Sequence, residues 1–560
     1  MNRNYVAIII GVISLGLFIF AAIFITPQTD YRHARISEEK YSEIIANRKE
    51  SSKSLLQNLK FNDHKVYYAK KNNTWYYSII ENDQNAKNPR IKTYGDGPLN
   101  ISFKDSQDIN QETIANATPL VFIAYNDDYY YEYKLAITTL PIIQIEHEDE
   151  ILKESDVNIS FELFDNREKT IKRTTKTAGK IHIRGASTAI ADKKSYRINL
   201  RYKSPGEHDR NANEPLLGMR EDDDWILYSA SIDDDKLRNN LCEKLWYSAS
   251  QDNPNLEQAT GVEAKWTEVI DNDEYKGLYA LTTTIDEKTL GIKKNSYGNY
   301  SNYIIKKNYP WKEIIIDGID NKEKYPDIEH AQYELKTSKI ADKEEAENKI
   351  RTYLYKTFIL KDVNYIKENT EIISLIDMSL FANMTMDYDK FAAENDETGD
   401  YKNTYLANLE TNNGEKFVYI PWDFDATWGI SWDYKPYHAP PNSQISDKSF
   451  ISSTLRDNDS AYKQKETERY ARLRNKQWSN EKLEQIINEQ EKDIFKSGAY
   501  NRDYAAWHKK TDAENKNKNN NLDIFKTYAF KRLEYMDYWY GLREDEPEPL
   551  DENWLNSVAE

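Results

Sequence analysis

The chain is predicted to be an α+β protein with two unlike halves, the first β-rich and the second helical. Three patterns predict it. Lys180-Ile-His-Ile-Arg184 alternates apolar and polar residues, and Tyr196, Ile198, Leu200 and Tyr202 alternate again after a short loop, the period of strands with one buried face. Trp266–Ile270 and Tyr275–Thr283 flank an Asn272-Asp273 pair, which reads as a hairpin. From about residue 340 the period changes to that of helices. Ser479 stands as an N-cap before Leu483, Ile486, Ile487 and Ile494, while Phe525, Ala529, Leu533, Met536 and Tyr540 form a second stripe ending at Gly541. A β-rich half followed by a helical half implies two lobes with a cleft between them.

The elements before these halves follow in order. Residues 5–26 carry no charge and only Ser14 as an interior polar side chain. A helix of that length spans roughly 33 Å, enough to cross a bilayer. Ala21-Ala22 lies inside the apolar run, so an uncleaved anchor is expected rather than a signal peptide. Arg3 and the amino terminus favour a cytoplasmic start, although Arg32, Arg35 and Lys40 follow the span. The expected topology is a single-pass membrane protein with its body outside the cytoplasm. Residues 30–59 are polar and helix-compatible, a stalk or packing helix. Aromatic and β-branched runs such as Thr74-Trp-Tyr-Tyr-Ser-Ile-Ile80 and Leu120-Val-Phe-Ile-Ala-Tyr125 then predict a small β-rich domain up to residue 150. The expected division is 1–29 anchor, 30–150 stalk and small domain, 151–310 β-rich lobe, 311–545 helical lobe and 546–560 acidic tail.

Composition narrows the classes. With 39% apolar and 30% charged residues, the bulk is an ordinary globular chain. A net charge of -18, with no long basic tract, excludes nucleic acid as the main partner. One cysteine, Cys242, rules out an intrachain disulfide or a cysteine metal cage. It sits in an amphipathic segment and reads as a buried structural thiol.

The most informative run is Phe417-Val-Tyr-Ile-Pro-Trp-Asp-Phe-Asp425. A short apolar strand delivers Asp423 and Asp425 at its end, and their period-2 spacing points both to one side. Semi-buried acids of this kind need a positive partner, and a hard divalent cation is the usual one. Upstream, Arg184-Gly-Ala-Ser-Thr188 offers backbone N–H groups and hydroxyls, and Lys193-Lys194 follows. Lys194 shares the face of Tyr196, Ile198 and Leu200, so it is expected to point inward, with Lys193 toward solvent. Asn395-Asp396 precedes Lys402-Asn403, and the Asp423 strand comes next. An acid, an amide and a later acid stand in the order that kinase-type phosphoryl transfer requires.

With these pieces in place, the chain resembles the CotH-type spore-coat protein kinases. The matching segments are Ile183-Arg-Gly-Ala-Ser-Thr188, Lys193-Lys-Ser-Tyr-Arg-Ile198, Leu216-Leu-Gly-Met219, Asp223-Asp-Trp-Ile-Leu227, Leu237-Arg-Asn239, Tyr275-Lys-Gly-Leu-Tyr279, Asn395-Asp396, Lys402-Asn403 and Pro421-Trp-Asp-Phe-Asp425. They cover roughly residues 150–545. The resemblance implies a two-lobed, atypical protein-kinase-like fold that takes ATP with Mg²⁺ or Mn²⁺ and phosphorylates serine or threonine of a protein acceptor. It makes Asp396 the catalytic acid, Asp423 the main metal ligand and Asn403 and Asp425 secondary ligands. Arg184, Ser187, Lys194 and Lys306 become the nucleotide-binding set. Asp387 and Asp389 are rival acids whose spacing to Asn403 fits less well. Thr283 stands where the family usually has glutamate, with Asp286 or Glu287 as candidate substitutes. That departure keeps open an alternative from another class, a catalytically silent surface or coat scaffold. Glycan hydrolysis by Asp423 and Asp425 is a third reading, disfavoured because both acids come from one strand.

Overall fold

The computed structural model describes residues 28–551 apart from 96, 186, 203–209, 308–332, 388–389, 391–402, 431–438, 445–450 and 509–517, together with the side chains of 187, 188 and 518–521. The apolar segment 5–26 lies outside the described residues, and among those described no helix is long and apolar enough to cross a membrane. The fold is mixed α+β, with several sheets and many helices.

Alternation in the sequence builds a closed barrel. The strands run in the order Thr174–Arg184, Val157–Phe164, Ile142–Glu146, Ala264–Asp271, Glu274–Thr282, Asp224–Tyr228 and Ser195–Tyr202, with the short Arg210–Asn211 strand beyond. Thr174–Arg184 also pairs with Ser195–Tyr202, with Ile181 opposite Ile198, and this closes the ring and removes the open edges. Alternate residues fill the interior: Ile143 and Ile145, Phe161 and Leu163, Ile198 and Leu200, Trp225 and Leu227, Tyr279 and Leu281. The turn at Asn272 (φ 43°) and Asp273 (φ 64°) is left-handed at both positions, as a two-residue hairpin requires.

The outside of the barrel is covered on two sides. Ahead of it, two sheets built from residues 28–138 share their own core of Leu59, Phe61, Trp75, Phe103, Phe122 and Tyr133. The expected helical stalk over residues 30–59 is instead part of this unit: two short helices, Tyr31–Ala34 and Glu38–Ala46, alternate with the strands Arg35–Ile36, Lys49–Glu50 and Leu56–Phe61, and the second helix packs on Ile123 through Tyr41 and Ile44. This unit meets the barrel where Tyr76 stacks on Tyr275 at 4.7 Å. On the other side, Ile226, Tyr228, Leu278 and Ala280 point outward into the large core of the second half.

That second half is less purely helical than its sequence period suggests. A four-stranded sheet, in the order Tyr333–Leu335, Tyr303–Lys307, Thr404–Thr411 and Gly414–Pro421, lies among its helices. The helices that matter below are α1 (Arg238–Gln251), α2 (Ile372–Thr385) and α3 (Ala499–Trp507). Ser479 caps Asn480–Glu491 by accepting from Lys482 N at 3.2 Å. Phe525, Ala529, Leu533 and Met536 are buried, and Gly541 is left-handed at φ 74°. Cys242 is a buried free thiol on α1, and burial pushes it up well above the ordinary thiol range.

Candidate active site

The site forms at the open end of the hairpin Thr404–Thr411 and Gly414–Pro421. Thr404 stands opposite Pro421, so the next residues, Asn403 and Trp422-Asp423, emerge side by side, and Trp422 N donates to Asn403 O at 3.0 Å. Phe417, Val418, Tyr419 and Ile420 are all buried, which anchors the strand that carries Asp423. Asn403 (φ 51°) and Asp423 (φ 68°) are both left-handed, a region costing most L-residues about 1–2 kcal/mol and least disfavoured for Asn and Asp. Such conformations persist where the surroundings over-determine them, and they cluster at functional sites.

Those surroundings are specific. Lys390 Nζ donates to Trp422 O at 2.7 Å and Asp423 O at 3.1 Å, and it pairs with Asp387 Oδ2 at 2.9 Å, both side chains fully buried. From α1, Asn239 Oδ1 accepts from Phe424 N at 3.1 Å and Arg238 Nε donates to Thr427 O at 3.0 Å. Arg238 also binds Asp233 (2.7 Å) and Asp235 (2.8 Å). The Tyr228 hydroxyl, on the outer face of the barrel, donates to Asp425 Oδ1. The loop after the strand is therefore fastened by the barrel, by α1 and by the segment that follows α2.

Two cations face these acids. Arg184, ending its barrel strand, places Cζ 5.7 Å from the Trp422 ring centre, and Lys306 places Nζ 5.8 Å from that of Tyr405. The two rings meet edge-on at 6.0 Å. Burial holds the Lys306 ammonium below the usual lysine range, while the charge of Asp423 opposes the shift and Arg184 adds to it. Burial first, and then the charge of Asp423, push the Asp425 carboxyl well above the usual carboxylate range, and Tyr228 and Arg184 draw it back. Glu243, inside α1, is pushed up by burial, with Lys390 opposing and Asp423 adding to the shift.

Crowding of Asp423 on Asp425 is the mark of two carboxylates that a cation would relieve. With the Asn403 amide at the same strand end, the donors are all oxygen, as a hard divalent ion prefers. Mg²⁺ commonly takes one or two protein carboxylates and completes its shell with substrate phosphates and water. The residues fit such an ion. Among the described residues no group of three or more His, Cys, Asp or Glu could hold a metal.

Arg184, Lys306, Asn403, Asp423 and Asp425 are thus brought to one place. Lys194 is not drawn inward. It is half-buried and turns back on its own loop, donating to Ala189 O at 2.9 Å. The expectation that Lys193 faces solvent is corrected. Lys193 is 4% exposed and binds Ser229 O, Leu278 O and Asp503 Oδ1. The alternation is right within the strand, but its outer face is also covered, here by α3, so an outward side chain is not a solvated one. Asp396 and Asp389 lie outside the described residues, as does the side chain of Ser187. Asp387 is enclosed with Lys390. Thr283 is buried, its hydroxyl accepting from Glu263 N at 3.1 Å. Asp286 is engaged by Arg220, Thr284 and Thr289 N. Sequence reasoning overlooked Lys390, Tyr228 and Glu243. For Lys390 the available signal was its three-residue spacing from Asp387.

The family described as CotH kinase protein matches residues 181–536, well over half of the chain. The chain belongs to that family. No curated protein matches it.

Proposed function

We propose that this chain is a kinase that transfers the γ-phosphate of ATP to a serine or threonine hydroxyl of a protein, assisted by Mg²⁺ or Mn²⁺. The observation that carries the reading is the meeting of Asp423, Asp425 and Asn403 with Arg184 and Lys306 at one hairpin end. Asp423 is the principal metal ligand, with Asn403 and Asp425 beside it. Arg184 and Lys306 hold the phosphates, with Ser187 and Lys194 on the neighbouring loop. A bound divalent ion would neutralise phosphate charge and fix the phosphates in line. Asp396 orients the acceptor hydroxyl and takes its proton as the new O–P bond forms and the β–γ bridging bond breaks, releasing ADP. The two halves act as the lobes of an atypical kinase-like fold. Residues 5–26 anchor it in the membrane with the body outside the cytoplasm.

A second reading is favoured by Thr283 at the family's glutamate position: a catalytically silent surface or coat scaffold. The test is incubation of the full chain with γ-labelled ATP, Mg²⁺ or Mn²⁺ and a casein-like acceptor. Label on the acceptor supports the kinase. No transfer and no metal-dependent ATP binding would leave the scaffold.

A further inference from the structure

We propose that Lys390 is a positioning residue that fixes the Asp423 main chain, so that its carboxylate is preset for a divalent cation before any cation arrives. This rests on the reading of Asp423 as the metal ligand. Lys390 is fully buried, and its ammonium donates to Trp422 O at 2.7 Å and Asp423 O at 3.1 Å while the Asp387 carboxylate balances its charge at 2.9 Å. The face of Phe424 closes the fourth side, 4.6 Å from ring centre to Nζ. With none of its side chain exposed, the ammonium is walled off from a phosphate, so it acts through the chain it grips. What it grips is the point where the backbone turns left-handed, at φ 68°, separating half-buried Asp423 from fully buried Phe424. Two adjacent carbonyls held by one buried cation favour that turn, and Asp387 keeps the cation from being an unpaired buried charge. Asn239 holds the next amide, Phe424 N, at 3.1 Å, so the turn is clasped from both sides.

The test uses the full chain with K390M, which keeps the length and apolar stem of lysine but not its charge. K390Q serves as the second variant, since its amide still donates to one carbonyl. Nucleotide binding is titrated at increasing Mg²⁺, alongside thermal melting without metal. The expected result is a rise in the Mg²⁺ midpoint of about 10- to 100-fold, the usual loss when a group orienting a metal ligand is removed. Metal-free ATP affinity should stay as in wild type, and K390Q should fall between K390M and wild type. A cooperatively melting variant with an unchanged Mg²⁺ midpoint would overturn the proposal while leaving the kinase reading intact. Loss of cooperative melting in both variants would also overturn it, in favour of a purely structural lysine. Absence of any Mg²⁺ effect in wild type would instead refute the proposed function itself.

Discussion

Lys193 and Asp503, 310 positions apart, form an ion pair inside the protein, with 4% and 2% of their side chains exposed. The same Asp503 oxygen accepts from Leu278 N at 2.9 Å, and a Cβ added to Gly277 would collide with it. Residues of two family-like segments, Lys193-Lys-Ser-Tyr-Arg197 and Tyr275-Lys-Gly-Leu-Tyr279, thus serve to dock α3 on the barrel. Breaking a buried pair by removing one partner typically costs about 3–5 kcal/mol, because the other charge is left unpaired. Lys193→Met is therefore expected to lower stability by about that amount in urea unfolding. An unchanged midpoint would mean that the pair is not buried in solution.

Gly277 adopts φ 96°, and its missing side chain is the space that Asp503 occupies. Gly277→Ala should destabilise by at least about 1–3 kcal/mol, from left-handed strain alone, before any displacement of α3. Thermal melting checks this, and a variant as stable as wild type would contradict the close approach.

Burial pulls the Lys193 ammonium down to about 8 from 10.5, against the pull of Asp503. Its folded value lies below its unfolded one, so between these two pH values the unfolded chain holds more proton. Stability from this position should therefore rise with pH across that window. The comparison is wild type against Lys193→Met in urea at pH 7, 8, 9 and 10. A difference that stays flat or shrinks on the alkaline side would refute the buried ammonium.

Much of this was legible locally. Strand alternation in Lys180–Arg184 and Tyr196–Tyr202, the Asn272-Asp273 turn, the Ser479 cap and the Gly541 stop each depend on neighbours within a few residues. The pairing of Ile142–Glu146 with Ala264–Asp271 in the barrel, and the sheet joining Tyr303–Lys307 to Thr404–Thr411, depend on partners far along the chain, which periodicity does not report. Lys193 was misread because a period-2 pattern shows that two faces differ, not that one of them is wet. Asp423 stood out because two acids closing an apolar strand are costly without a partner. Lys390, the group that grips its backbone, lies 33 residues upstream and carries no comparable mark.

Arg184 and Lys306 are expected to carry phosphate binding more than Lys194 does. Lys306→Ala and Arg184→Ala should each weaken ATP binding by roughly tenfold or more, the loss of about 1.4 kcal/mol of charged contact. Lys194→Ala should have a smaller effect. Titration calorimetry at two salt concentrations checks the order, and equal losses for all three would contradict it.

The most direct measurement is ATP binding with and without Mg²⁺ by wild type, Asp423→Ala and Asp396→Ala. Wild type should bind more tightly with Mg²⁺, and Asp423→Ala should lose that increment and phosphate transfer with it. Asp396→Ala should keep most of the binding and lose only transfer, since proton acceptance matters on the way to the transition state. Equal Mg²⁺-dependent binding by wild type and the Asp423 variant would contradict the metal site at the end of the Gly414–Pro421 strand.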